Sequence, residues 1–112
     1  MEVKTNEYHA WVEGTEIHLE GTMRLAGSEA YAPVRTLMED VLDKATTAIT
    51  LNLTDLEYLN SSGINMIAKF TIDIRKKGEI HLTVKGSSQI PWQSKSLRNL
   101  QKLLPDLDLV VI

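Results

Sequence analysis

The chain has 112 residues, 43% apolar and 24% charged, which suits one globular domain over residues 1–112 with a core that needs no staples. It contains no cysteine, so disulfides, thiol nucleophiles and cysteine-based metal sites are excluded. Its net charge of −3, with no basic cluster beyond Arg75-Lys76-Lys77, argues against a nucleic-acid partner.

Taken in chain order, the first seven residues, Met1-Glu-Val-Lys-Thr-Asn-Glu, lack the apolar stretch of a secretory signal, so a cytoplasmic location is expected. Residues 8–12 (Tyr-His-Ala-Trp-Val) and 17–19 (Ile-His-Leu) alternate as short strands around a Glu13-Gly14-Thr15 turn. Residues 21–27 form a loop with glycine at both ends. Ser28 is placed to cap a helix that begins near Glu29. In that helix Ala30, Val34, Leu37, Met38, Val41, Leu42 and Ala45 recur at helical spacing, and Pro33 is tolerated in the first turns. Residues 47–53 are a third strand, apolar enough to be buried on both faces as central parallel strands are.

A second helix is predicted over 62–77, with Ile64, Ile67, Ala68, Thr71 and Ile74 on one stripe. Arg75, Lys76 and Lys77 suit its C-terminal turn, where cations are favoured, and Gly78 is its C′ residue. Residues 79–84 alternate as a fourth strand, and 86–89 form a loop. Pro91 opens a third helix, with Trp92, Leu97, Leu100, Leu103 and Leu104 inward and Pro105 as its stop; residues 107–112 make a last strand. No apolar run approaches a membrane span, so no membrane insertion is expected. The order predicts an α/β domain whose mixed sheet of about five strands has a parallel core, with helices packed against it. Loops at the carboxyl ends of parallel strands carry function in such sheets, which draws attention to residues 21–27, 60–63 and 86–89.

The most informative stretch is Leu51-Asn-Leu-Thr-Asp-Leu-Glu-Tyr-Leu-Asn-Ser-Ser-Gly-Ile64. Strand alternation gives way to a polar loop that delivers two serines and a glycine to a helix start. A helix N-terminus has unpaired N–H groups and the positive end of the macrodipole, so a phosphate on Ser61 or Ser62 would be accommodated. By residue physics alone, capping explains these serines, at about 1 kcal/mol. The remaining polar residues point to no chemistry. His9, His18 and His81 lie on strands without metal-ligand spacing. There is no Gly-x-Ser-x-Gly elbow, no residue that stands out as a base and no phosphate-binding glycine loop, so no enzyme activity, metal or cofactor is expected. Trp92 suits packing or an interface, and Glu39, Asp40 and Asp43 read as a solvated helix face.

The same stretch resembles the signature of STAS domains, the anti-anti-sigma-factor family. A hydrophobic strand, here Leu51-Asn52-Leu53, is followed by Asp55, aromatic Tyr58 and Ser61-Ser62-Gly63-Ile64, with Gly78 matching a later family glycine. Pro91-Trp92-Gln93 and Ser96-Leu97-Arg98-Asn99-Leu100 are similar to a branch paired with histidine-kinase-like ATPases. Asn60 stands where the family usually has aspartate, which keeps the shape and removes a charge. The resemblance implies a STAS-like fold and a regulatory phosphorylation site at Ser61, with Ser62 as the alternative. It implies a serine kinase or anti-sigma factor of the histidine-kinase-like ATPase fold as partner, and a serine phosphatase that resets the switch. The partner surface is expected at Asn60, Ser61, Ser62, Gly63 and Asn65, rimmed by Asp55, Glu57 and the 21–27 loop. A non-phosphorylated STAS adaptor of a transporter complex is the alternative, and an enzyme with a cryptic site a more distant one.

Overall fold

The computed structural model describes residues 2–112. Strands β1 (Glu2–Lys4), β2 (Tyr8–Glu13) and β3 (Glu16–Met23) lead into a one-turn helix α1 (Gly27–Ala30) and α2 (Ala32–Lys44). Then come β4 (Ala48–Asn52), β5 (Leu56–Leu59), α3 (Ser61–Lys77), β6 (His81–Gly86), α4 (Pro91–Leu103) and β7 (Asp108–Val111). One sheet runs in the order β1-β2-β3-β4-β6-β7, with β5 also paired to β3. The β1–β2 and β2–β3 pairs are antiparallel, whereas β3–β4, β3–β5, β4–β6 and β6–β7 are parallel. This is the expected mixed α/β sheet with a parallel core.

Register shows why the sheet has one covered face. Partners Ala10 and Leu19, Ile17 and Leu51, Ile49 and Leu82, and Leu51 and Val84 are all buried and share a side. The helices lie over that side and complete a single core with Val34, Leu37, Met38, Val41, Met66, Ile67, Phe70, Ile74, Leu97 and Leu100. The opposite side pairs Trp11 with His18, His9 with Glu20, and Asn52 with Lys85, a polar and partly solvated face. There Trp11 stacks between His9 and His18, with ring centroids 4.2 and 4.6 Å away.

Several elements depart from the sequence expectation. The sheet has seven strands rather than about five, because β1 and β5 are short and poorly alternating. In β5, Leu56 and Leu59 are buried and Glu57 and Tyr58 are exposed. Its pairing with β3 shifts register between Gly21 and Thr22, so the period of two is lost. Leu56 N–H donates to Leu53 C=O at 3.0 Å, a tight turn that breaks one long strand into β4 and β5. β3 continues through Gly21 to Met23, so most of the loop expected at 21–27 shrinks to residues 24–26. Gly21 permits this: its φ is 91°, and a Cβ there would lie 2.4 Å from Glu7 C=O. Ser28 caps nothing, since it lies inside α1, and α2 starts beyond Tyr31 with Pro33 in its first turn.

Candidate protein-interaction site

The Asn60–Gly63 segment sits at the carboxyl end of β5, where the parallel pairing places it beside the end of β3. Its geometry is set by Asn60. In extended conformation (φ −80°, ψ 176°), Asn60 is the N-cap of α3, and its Oδ1 accepts from Gly63 N–H at 3.0 Å. The same Oδ1 accepts from the Tyr31 hydroxyl at 2.7 Å, and Nδ2 donates to Leu25 C=O at 2.8 Å. The main chain adds two bonds, Asn60 N–H to Met23 C=O at 3.2 Å and Ile64 N–H to Asn60 C=O at 2.9 Å. Asn60 therefore ties β3, α2 and α3 together. An aspartate could accept from Gly63 and Tyr31 but would turn a carboxylate oxygen toward the Leu25 carbonyl. The departure from the family pattern thus has a local reason.

Tyr31 is fully buried, and its hydroxyl also lies 3.0 Å from Met23 C=O. Burial pushes its pKa above the ordinary value of 10.0. Gly63 completes the packing. A Cβ on it would lie 2.2 Å from Leu59 Cδ1 and 2.8 Å from the Tyr31 hydroxyl oxygen. The glycine of the motif is required by side-chain contact at the helix start.

With Asn60 as the cap, the serines are released from that role. α3 begins at Ser61, one residue earlier than the spacing predicts. Ser61 is exposed and Ser62 half-buried, and neither hydroxyl has a hydrogen-bond partner among the described residues. Their backbone N–H groups likewise find no acceptor there, and no acidic side chain occupies the first turn. The result is an uncovered helix start carrying two free hydroxyls, where added negative charge meets unpaired donors.

The expected surface residues divide between two recesses. Ser62 and Asn65 line an apolar groove of 160 Å³ between α2 and α3, floored by Tyr31, Met38, Met66 and Phe70. Asp55 and Glu57 instead line an open bowl of 310 Å³ beside Glu7, Glu20 and Gly21, where β1, β2 and β5 meet. Asn65, Asp55 and Glu57 are exposed, as is Tyr58 at 45%, whereas Gly63 is buried. So Ser61, Ser62 and Asn65 form one face, and Asp55 and Glu57 another.

Three supporting residues escape sequence reasoning or are misjudged by it. Tyr31 falls between two helical segments and carries no motif signal. Gln93 is buried in α4. Its Oε1 accepts from Ser87 N–H at 2.7 Å, and its Nε2 donates to Leu53 and Leu56 C=O at 2.6 and 3.1 Å. Trp92 is half-buried and donates Nε1–H to Leu56 C=O at 3.0 Å, so α4 braces the β4–β5 turn from below. Among the described residues no group of three or more His, Cys, Asp and Glu side chains is arranged to hold a metal ion. No described helix is long and apolar enough to cross a membrane.

No protein-family model and no curated protein matches the sequence. Three solved structures from Pseudomonas aeruginosa match the fold across essentially the whole chain. A chain in the complex of the diguanylate cyclase SiaD with its activator SiaC matches with a TM-score of 0.73 and 13% identity, covering 100% of this chain and 99% of that one. Apo-SiaC matches with a TM-score of 0.71 and 11% identity, covering 99% and 98%. A further SiaC structure gives 0.67 and 13%, covering 99% and 93%. At these identities the likeness establishes architecture: this chain has the α/β fold seen in SiaC, a mixed sheet with its helices on one face.

Proposed function

We propose that this chain is a STAS-type regulatory module that binds a protein partner and is switched by phosphorylation of Ser61, with Ser62 as the alternative acceptor. The observation that carries the reading is the division of labour at the start of α3. Asn60 takes the cap, which leaves the exposed Ser61 hydroxyl free beside unpaired backbone donors. A phosphoserine carries about −1.5 to −2 charges at neutral pH, enough to alter a protein interface without refolding the helix. The chain itself performs no chemistry. The partner surface comprises Ser61, Ser62 and Asn65, supported from beneath by Asn60 and Gly63 and flanked by Asp55 and Glu57.

By the family resemblance, the partner is a serine kinase or anti-sigma factor of the histidine-kinase-like ATPase fold, opposed by a serine phosphatase, in the cytoplasm. The likeness to SiaC favours a second partner class. SiaC is an activator bound to a diguanylate cyclase, so an enzyme that the module activates is a second class of partner for this surface. Phosphosite mapping of protein from its native cells, followed by copurification with wild type and Ser61→Ala, tests the reading. Modification at Ser61, and partner binding that no longer responds to the kinase in Ser61→Ala, are expected. Stoichiometric modification at Ser62 would move the site by one residue, and modification at neither serine would favour the adaptor alternative.

A further inference from the structure

Ser61 and Ser62 are neighbours in sequence but not in surroundings. Ser61 is exposed, whereas Ser62 is half-buried at the end of the α2–α3 groove. Arg35 of α2 lines the same groove and is itself half-buried. Its Nη1 donates to Ser28 C=O at 2.9 Å, and Ser28 is also a lining residue. That bond holds the guanidinium toward the end of the groove that Ser28 and Ser62 share. Among the described residues no carboxylate pairs with Arg35. A partly buried, unpaired guanidinium beside a free hydroxyl has donors to spare.

The groove is also polarised. The Tyr31–Asn60 hydrogen bond sets the starts of α2 and α3 side by side, so positions along the two helices can be compared. Arg35 comes first, in the opening turn of α2; Glu39 follows one turn later, level with Lys69 of α3, and Asp73 lies a turn beyond. Lys69 is exposed and pairs with Asp73 at 3.2 Å, a contact of the kind that contributes little and is readily exchanged. Arg35 is therefore the charged lining residue nearest the helix starts, and hence the cation best placed toward Ser62.

We propose that Ser62 is a second phosphoacceptor with a role distinct from that of Ser61: its phosphate is held within the same chain by Arg35 across the mouth of the α2–α3 groove. The inference rests on reading this helix start as a phosphorylation switch. Transfer forms a bond between Ser62 Oγ and the γ-phosphorus of a nucleoside triphosphate. The phosphoanhydride bond breaks, the hydroxyl proton passes to a base of the kinase, and nucleoside diphosphate leaves. Arg35 then offers a planar fork of N–H donors matched to phosphate oxygens. A phosphate on Ser61 points to solvent and is read by a partner. A phosphate on Ser62 stands at the mouth of the groove and narrows a partner's access to it.

The test needs no kinase and no partner. Phosphoserine is incorporated during translation at position 62, or at position 61 in a separate preparation, and each protein is titrated by phosphorus NMR. The second phosphate pKa at position 62 is expected to lie about one unit below that at position 61, because a nearby opposite charge favours the dianion. Arg35→Gln should abolish the difference without moving the value at 61, Arg35→Lys should retain part of it, and Lys69→Gln, two turns away, should leave it in place. Equal titration at both positions, or a difference that survives Arg35→Gln in folded protein, overturns the proposal. If Arg35→Gln does not fold, the Arg35 side-chain N–H resonance of the otherwise unaltered protein reports the same contact. It should move with phosphate at 62 and not at 61, and a resonance unmoved by either overturns the clamp. A negative outcome leaves the Ser61 switch standing, and failure of the Ser61 switch leaves this titration unchanged.

Discussion

Two recesses, the groove between α2 and α3 and the bowl beside β5, are built in opposite ways. The α2–α3 groove is a product of helix packing, with a floor of Tyr31, Met38, Met66 and Phe70 beneath a thin charged rim. The bowl beside β5 is a product of strand ends, lined by Glu7, Glu20, Asp55 and Glu57 with Lys4 nearby. The groove can select by shape, because its walls are part of the core and cannot move independently. The bowl selects chiefly by charge, because Glu7, Asp55 and Glu57 on its rim are exposed and their field is screened by salt over about 8 Å. Ser62 borders the groove, whereas Ser61 lines neither recess, so the phosphates proposed for the two positions would meet different surroundings.

The contrast breaks most visibly at Gly63. Gly63→Ala forces a methyl group against Leu59 and Tyr31, and overpacking of this kind costs about 1–3 kcal/mol. Urea denaturation should show that loss, together with disturbance of the Asn60 cap. Replacement of Asn60 by aspartate comes next. It keeps the cap but removes the donor to Leu25 C=O, and a loss on the order of 1–2 kcal/mol is expected above pH 6, smaller where the carboxyl is protonated. Stability unchanged by Asn60→Asp would mean that the amide donor contributes nothing.

Tyr31→Phe sharpens the comparison through pH. Burial raises the folded pKa above the unfolded value, so the neutral phenol contributes its stability fully below that unfolded value. That contribution is lost as pH rises through the folded pKa. The wild type should therefore lose stability above about pH 10, and Tyr31→Phe should lose less over that window while being less stable by about 1 kcal/mol at neutral pH from the missing hydrogen bond. Tyr8, also raised by burial, leaves a residual slope in the variant.

At the bowl, the expected stability effects are smallest. Asp55→Lys with Glu57→Lys should stay within about 0.5 kcal/mol of wild type, since both residues are exposed. The substitution should change the salt dependence and association rate of partner binding, read by stopped-flow mixing. If it instead unfolds the protein while Gly63→Ala is silent, the assignment of rigid and soft sides is reversed.

How much of this was legible beforehand follows from which contacts are local. Val34, Leu37, Met38, Val41 and Leu42 recur every three or four residues, so α2 announces its buried face whatever it packs against. α3 was legible as a helix but less so as a surface: Ile64 and Ala68 of the expected stripe are only half-buried, while Met66 and Phe70 are buried because α2 closes over them. Strand β5 was read as loop, since its bulged register is imposed by β3, more than thirty residues earlier. The serines were correctly placed at a helix start but credited with a capping role that Asn60 holds.

The sequence by itself determined the alternation of strands and helices, the parallel core and the position of two serines at the head of an amphipathic helix. Those features depend on periodicity and on backbone donors near in sequence, which a short stretch of chain specifies alone. Only the tertiary structure decided that Asn60 would be the cap, that Gly63 must have no side chain, and that Ser61 faces water while Ser62 borders the groove that Arg35 also lines. Each of these depends on Tyr31, Leu25 or Arg35 arriving from 25 or more residues away. Local patterns cannot encode that arrival, because it comes from the packing of α2 against α3 over a common sheet.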